Sequence, residues 1–350
     1  MKGMNNMSKF KFSVGPWNVN DGVDVYGPPT RKDPSLEEKI KVFAELGFDA
    51  IQFHDDDVVP NINELSEEQI IEKTKEVKKV LDKYNLATEF VAPRLWMDPK
   101  TIDGGYTSNN AEDREFALWR TFRSIDIAKV LGTNKIVIWL AREGTVTPGS
   151  KDPVLANHRL VDAMNKILEY DKSVKILIEP KPNEPIDRSF AGTAGHVLAL
   201  SAATNDPNRV GVLLESAHAV LAGLDPTNEM AMAISQDKLW GVHLNDQNGM
   251  KFDQDKSFGV ENLRQAFHQV KLLKDYKFGS NGEYVGLDVK SLRTSDDSHR
   301  YDHLKNSLDI VKTLEKKLEN YDYEFEAKCF ETRDYESLEM YIMNIIMGNV

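Results

Sequence analysis

The chain has 350 residues, 41% hydrophobic and 29% charged, so it can bury a sizeable core and is not a disordered sequence. Its formal net charge is -12, with no lysine- and arginine-rich stripe interleaved with aromatics, which excludes capture of a nucleic-acid backbone by charge. No apolar stretch reaches the roughly 18 residues of a membrane span, and Met1 to Phe12 lack a signal-type apolar run, so a cytoplasmic protein is expected. A lone cysteine, Cys329, permits no intramolecular disulfide and has no neighbouring base to activate it.

Along the chain, apolar β-rich segments alternate with segments of helical period. Phe10–Val14 reads as the first strand, and Ser35-Leu36-Glu37-Glu38 opens a helix. Ala50–Phe53 follows as a strand and runs into His54-Asp55-Asp56-Asp57. Ser66-Glu67-Glu68-Gln69 is a capping box, after which Ile70, Ile71, Val77, Val80 and Leu81 recur at helical spacing. Thr88–Val91 is the third strand, and Ala111–Leu131 a long helix. Lys135–Trp139 is a strand, Asn157–Tyr170 a helix, and Lys175–Ile178 and Val210–Leu214 are strands. Gly241–Leu244, the helix Val260–Leu273, the strand Glu283–Leu287 and the helix His303–Leu318 complete the pattern.

Eight such strands predict an α/β fold, a (β/α)8 TIM barrel with right-handed crossovers and helices outside. The expected organisation is a catalytic barrel over residues 1–318 and a short C-terminal helical extension over 319–350. A doubly wound open sheet is the competing fold, but no glycine-rich first turn favours it. In a barrel the residues just after each strand converge on one face, where active sites sit.

Those strand ends are loaded with ligand-type side chains. His54 to Asp57 follow strand two, Glu179 to Pro185 follow strand five, and Glu215-Ser216-Ala217-His218 follow strand six. His243-Leu244-Asn245-Asp246 close strand seven, Asp253-Gln254-Asp255 lie in its loop, and Asp288 ends strand eight. Singly each has a bland reading: a hydrogen-bonded histidine, a solvated turn, a helix start. Together they do not, because two carboxylates 4 Å apart repel by about 4 kcal/mol at an effective dielectric near 20. Several converging acids call for cations, and oxygen-rich donors with an imidazole suit Mg or Mn better than Zn. A two-metal site is the economical expectation.

Glu179-Pro-Lys-Pro-Asn-Glu-Pro185, Phe53-His-Asp-Asp-Asp57 and Asn248-Gly-Met-Lys-Phe-Asp-Gln-Asp255 resemble the signature segments of xylose isomerases, in particular the shorter actinobacterial class. Gly104–Asn109, Trp139 with Arg142-Glu143-Gly144, and Asp288 through Thr294 continue the likeness in order. The resemblance implies an aldose–ketose isomerase with two divalent ions (Mg, Mn or Co), acting on a neutral monosaccharide by ring opening and hydride shift. It places Glu179, Glu215 and Asp288 on the first ion, with Glu215 bridging to a second ion on His218, Asp253 and Asp255. It gives ring opening to His54 oriented by Asp57, and polarisation of the carbonyl to Lys181. Trp139 becomes an apolar wall. Tyr26, where the family has phenylalanine, reaches towards a neighbouring subunit's site, so a homo-oligomer (dimer or tetramer) is expected.

Departures from the family pattern are equally visible. Asn245 stands where the family has a metal-binding aspartate, leaving Asn245 or Asp246 to fill that position. The segment Ala92–Pro99 is longer than the family's and carries Arg94 and Trp96, which are expected to contact substrate and alter the preferred sugar. The family's long C-terminal arm is trimmed here. An epimerase or lyase on the same barrel, working by proton transfer at a single metal, is the alternative function. A catalytically silent sugar sensor or partner subunit is the third reading.

Overall fold

In the computed structural model, which describes residues 10–20, 26–250 and 252–348, the eight expected strands form one closed, all-parallel barrel in chain order. They are β1 (Phe12–Val14), β2 (Ala50–His54), β3 (Ala87–Ala92), β4 (Lys135–Trp139), β5 (Lys175–Glu179), β6 (Val210–Glu215), β7 (Leu239–Leu244) and β8 (Val285–Leu287). β8 closes on β1 with Phe12 opposite Val285 and Val14 opposite Leu287. The expected (β/α)8 TIM barrel is the observed fold. Residues 1–9 of the expected signal-free N-terminus, and Lys251 of the Asn248–Asp255 segment, lie outside the described residues.

The outer helices are α1 (Leu36–Leu46), α2 (Glu67–Tyr84), α3 (Ala111–Leu131), α4 (Pro153–Tyr170), α5 (Ala194–Ala202), α6 (Pro226–Ile234), α7 (Leu263–Asp275) and α8 (Asp302–Lys317). Both expected capping boxes form: Ser35 and Ser66 accept from Glu38 and Gln69, whose side chains reach back to the cap N–H groups. α2 ends where Asn85 turns left-handed at φ 55°, a conformation asparagine tolerates. The helices α5 and α6 escaped the sequence reading, being short and alanine-rich with little periodicity. Their starts were nonetheless marked by Thr193 and by Asp225-Pro226, which cap them.

Beyond α8 lie α9 (Tyr323–Thr332) and α10 (Tyr335–Met347). Ile342 and Ile345 join the barrel's main hydrophobic cluster, and Lys317 Nζ donates to the Ile345 carbonyl at 2.7 Å. Cys329 is buried on α9. No helix among the described residues is long and apolar enough to cross a membrane.

Register sets the stage for the site. Trp139 pairs with Glu179 across β4 and β5, and Glu215 pairs with His243 across β6 and β7. His243 pairs in turn with Gly286 on β8. Residues paired across parallel strands point the same way, so these side chains share one layer at the barrel mouth. Gly286 is small for a reason: an added Cβ would lie 2.4 Å from Gln52 Nε2, 2.7 Å from the Val242 carbonyl and 3.0 Å from the His243 ring.

Candidate metal centre

The C-terminal ends of the strands open into a cavity of about 370 Å³. Its floor is acidic and its walls are aromatic. Glu179, Glu215, His243 and Asp288, from β5, β6, β7 and the residue after β8, offer ligand atoms that all lie within 4.8 Å of one another. His243 Nδ1 is 3.2 Å from Glu179 Oε1, 3.5 Å from Glu215 Oε2 and 3.8 Å from Asp288 Oδ2. A second group, Glu215, His218 and Asp253, meets the same limit. There His218 Nε2 stands 2.9 Å from Asp253 Oδ2 and 3.3 Å from Glu215 Oε1.

Protonation follows from crowding. Burial raises the Glu215 carboxyl well above its ordinary range, and the charges of Asp253, Asp288 and Glu179 add to the shift. Burial opposes charge on His243, but Glu179 and Asp288 outweigh it and push the imidazole up to about 9. A protonated His243 and a divalent cation are therefore alternative counter-charges for the same three carboxylates. Among the described residues, no lysine or arginine pairs with Glu179, Glu215 or Asp288. The donor set fits a hard or borderline divalent ion. The buried Asp253 Oδ1 and His218 Nδ1 also lack hydrogen-bond partners, as atoms facing a ligand would.

The second group is differently placed. Lys181 Nζ lies 2.9 Å from Asp253 Oδ2 and 3.1 Å from Glu184 Oε2. Burial lowers its proton affinity, but these acids hold the ammonium well above its usual range. Asp255 is paired with Lys290, a cavity residue the sequence reading did not single out, although it follows Asp288 at strand spacing. Asp255 belongs to neither ligand group. Burial and the nearby Asp253 push its carboxyl up.

At the strand-seven position, Asn245 and Asp246 have different partners. Asp246 points away from the cavity. Its carboxylate accepts from the backbone N–H groups of Gln247, Glu261 and Asn262 and from Asn262 Nδ2, tying the loop before α7. Asn245 stays inside, but its Oδ1 accepts from Ala217 N at 2.8 Å and its amide donates to Glu215 at 2.7 Å and Asp255 at 3.1 Å. Its oxygen is thus spent on backbone, and Asn245 orders the acids. The strand-seven side chain that joins the acidic cluster is His243, two residues before Asn245.

The aromatic wall comprises Trp17, Trp96 and Trp139. Trp139 lies edge-on to Trp96 at 4.4 Å, and Lys181 Nζ sits 5.1 Å over its ring. Trp17, in the turn after β1, was not anticipated; its Nε1 donates to Asp288 Oδ1 at 2.8 Å while its ring lies 4.3 Å from that of His54. Arg94 lines the cavity, but its guanidinium is directed at His54 Nδ1, Asp57 Oδ1 and Asp56 Oδ1. Asp55, the first acid after His54, is a fully buried anchor held by Arg120 and by the Arg94 backbone N–H. Tyr26 is 84% exposed with its ring against Phe252, and it is not part of the cavity wall.

The sequence profile described as the xylose isomerase-like TIM barrel matches residues 40–279. Among solved structures of the same fold, a D-tagatose 3-epimerase-like protein superposes with a TM-score of 0.63 at 18% identity, covering 86% of this chain and 98% of its own. The 3-keto-D-glucoside 4-epimerase from E. coli gives 0.62 at 16% identity, with 87% and 100% covered. An L-ribulose 3-epimerase gives 0.65 at 13% identity, with 90% and 99% covered. With a closed eight-strand barrel and a profile spanning more than half its length, this chain belongs to the xylose isomerase-like TIM barrel family.

Proposed function

We propose that the protein is a divalent-metal-dependent sugar epimerase, which moves a proton at a carbon beside the ketone of an open-chain ketose or keto-sugar. The observation that carries this reading is the cluster of Glu179, Glu215, His243 and Asp288 at four successive strand ends. These four residues would hold one divalent ion, Mg, Mn or Co. A bound divalent ion polarises the oxygens of the substrate and stabilises negative charge developing on them. The sugar epimerases among the structural neighbours support the choice of reaction class.

The chain's own groups supply the rest. Glu179 and Asp288 enter the cluster from strands three places apart, so their carboxylates can address a carbon from two sides. One carboxylate oxygen takes the C–H proton as the electron pair moves towards the carbonyl, and the other, in its acid form, returns a proton to the opposite face. Lys181, held charged by Asp253 and Glu184, donates a hydrogen bond to a substrate oxygen. Trp17, Trp96 and Trp139 exclude water and pack on the apolar face of the sugar.

A second reading, an aldose–ketose isomerase working by hydride shift at two ions, is favoured by the group Glu215, His218 and Asp253. A panel of ketoses, keto-sugars and aldoses incubated with Mn, Mg or Co separates the two. The proposal expects epimeric products that keep their carbonyl position; products that exchange aldehyde for ketone would favour the second.

A further inference from the structure

An arginine that reaches a histidine ring nitrogen decides which nitrogen carries the proton. Arg94 Nη2 lies 2.6 Å from His54 Nδ1, and the same nitrogen donates to Asp57 Oδ1 at 2.8 Å. A guanidinium has only N–H donors and stays charged at any pH a protein survives. At that distance Nδ1 must offer its lone pair, because an N–H there would oppose another N–H.

Asp57 competes for Nδ1 from further away than Arg94. Its Oδ2 stands 3.2 Å from His54 Nδ1, but it accepts the His54 backbone N–H at 3.0 Å, and its Oδ1 is taken by Arg94. The arginine is itself well anchored. Its backbone N–H donates to the buried Asp55 at 3.0 Å, and its Nε pairs with Asp56 at 2.9 Å. The ring is clamped by Trp17 at 4.3 Å and Trp96 at 5.0 Å, which hold it in this orientation. His54 lines the cavity, and among the described residues nothing is paired with its Nε2.

We propose that Arg94 is a positioning residue that fixes His54 as the Nε2–H tautomer, so that His54 presents a hydrogen-bond donor, not a base, to the bound molecule. Taken with the sugar-epimerase reading, on which this last step rests, the complementary group is an oxygen that can only accept, such as a ketone carbonyl. An imidazole with Nδ1–H bound to a carboxylate would leave Nε2 free to take the anomeric hydroxyl proton of a closed sugar ring. Arg94 removes that option, which matches a substrate that arrives with its carbonyl exposed.

The test is the pair of ring ¹⁵N shifts of His54 in the full-length protein labelled at histidine, assigned with His54→Gln and recorded with and without Mg. A pyrrole-type Nε2 and a pyridine-type Nδ1 are expected, and Arg94→Met should move the proton towards Nδ1, now facing Asp57. A pyrrole-type Nδ1 in the unaltered protein overturns the proposal, as does an Arg94→Met spectrum unchanged from it. Should Arg94→Met not fold, the unaltered protein's spectrum decides alone. The tautomer can be found as stated in a protein without epimerase activity, so this inference and the functional reading fail separately.

Discussion

At the end of β5 the ammonium of Lys181 sits between Asp253 and Glu184, and its neighbours decide what it can do. Held charged, it cannot serve as a base; it can only donate. Lys181→Met should therefore lower turnover by about a hundredfold or more, the cost of losing one donor to developing charge. Divalent-ion binding, measured by calorimetry, should change little, because Lys181 is not among the Glu179, Glu215, His243 and Asp288 group. Loss of the ion along with turnover would show the lysine to be structural. Single residues also mark where the sequence is readable and where it is not. Glu179, Glu215, His218, Asp253 and Asp288 were legible because each follows a strand of the barrel. Asp246 looked equivalent by position, yet its role is set by amides of Glu261 and Asn262, fifteen and sixteen residues on, which no local pattern reveals. Arg94 was legible as a cavity residue but not in its partner, since its side chain can turn towards substrate or towards His54 and only packing decides.

At the scale of elements, the turn after β1 carries Trp17 to Asp288 and is propped from behind by α8. His303 on that helix donates from Nε2 to the Asn18 carbonyl at 2.6 Å, and Asn18 Oδ1 accepts from Val289 N at 2.6 Å, beside Asp288. Burial pushes the His303 imidazole down to about 4 from an ordinary 6.5. The unfolded chain takes up this proton below about 6.5, whereas the folded protein resists it until about 4. Stability from this group is thus complete above 6.5 and declines as the pH falls towards 4, by a total on the order of 3 kcal/mol. Melting temperatures across that window should fall less steeply in His303→Gln, which keeps an N–H for Asn18. Equal slopes in both proteins would remove His303 from the account. The barrel strands and long helices were legible because the two-residue and 3.6-residue periods are strong there. Strand ends shifted by a residue or two, as at Phe12 and Leu239, where pairing with the neighbouring strand rather than composition sets the limit.

For the whole molecule, the question is how the acidic floor is balanced. Asp253 and Asp255 already have Lys181 and Lys290, while among the described residues the four-residue cluster has only His243 as a counter-charge. One divalent ion per chain is the expected stoichiometry by elemental analysis after dialysis, and two would favour the hydride-shift reading. At a hundredfold excess over its dissociation constant, an ion that binds only the folded state adds about 2.7 kcal/mol, which should raise the melting temperature by a few degrees. Glu215→Gln should abolish that rise because Glu215 belongs to both ligand groups; an undiminished rise would mean the ion sits elsewhere. The likeness to xylose isomerases correctly located the fold and the acidic mouth. It could not convey the balance of charge, because Asn245, Lys290 and the turned-away Asp246 act together only once the barrel closes.

The central claim is that chemistry at this site proceeds by proton transfer between carboxylates, and isotope exchange tests it most directly. The Mn-loaded protein is incubated in deuterated water with the sugar it turns over, and the product is read by NMR. The account predicts deuterium at the carbon whose configuration changes, at one atom per turnover, because Glu179 and Asp288 exchange their protons with solvent. A product that retains the substrate's own hydrogen, with no deuterium at that carbon, would contradict it.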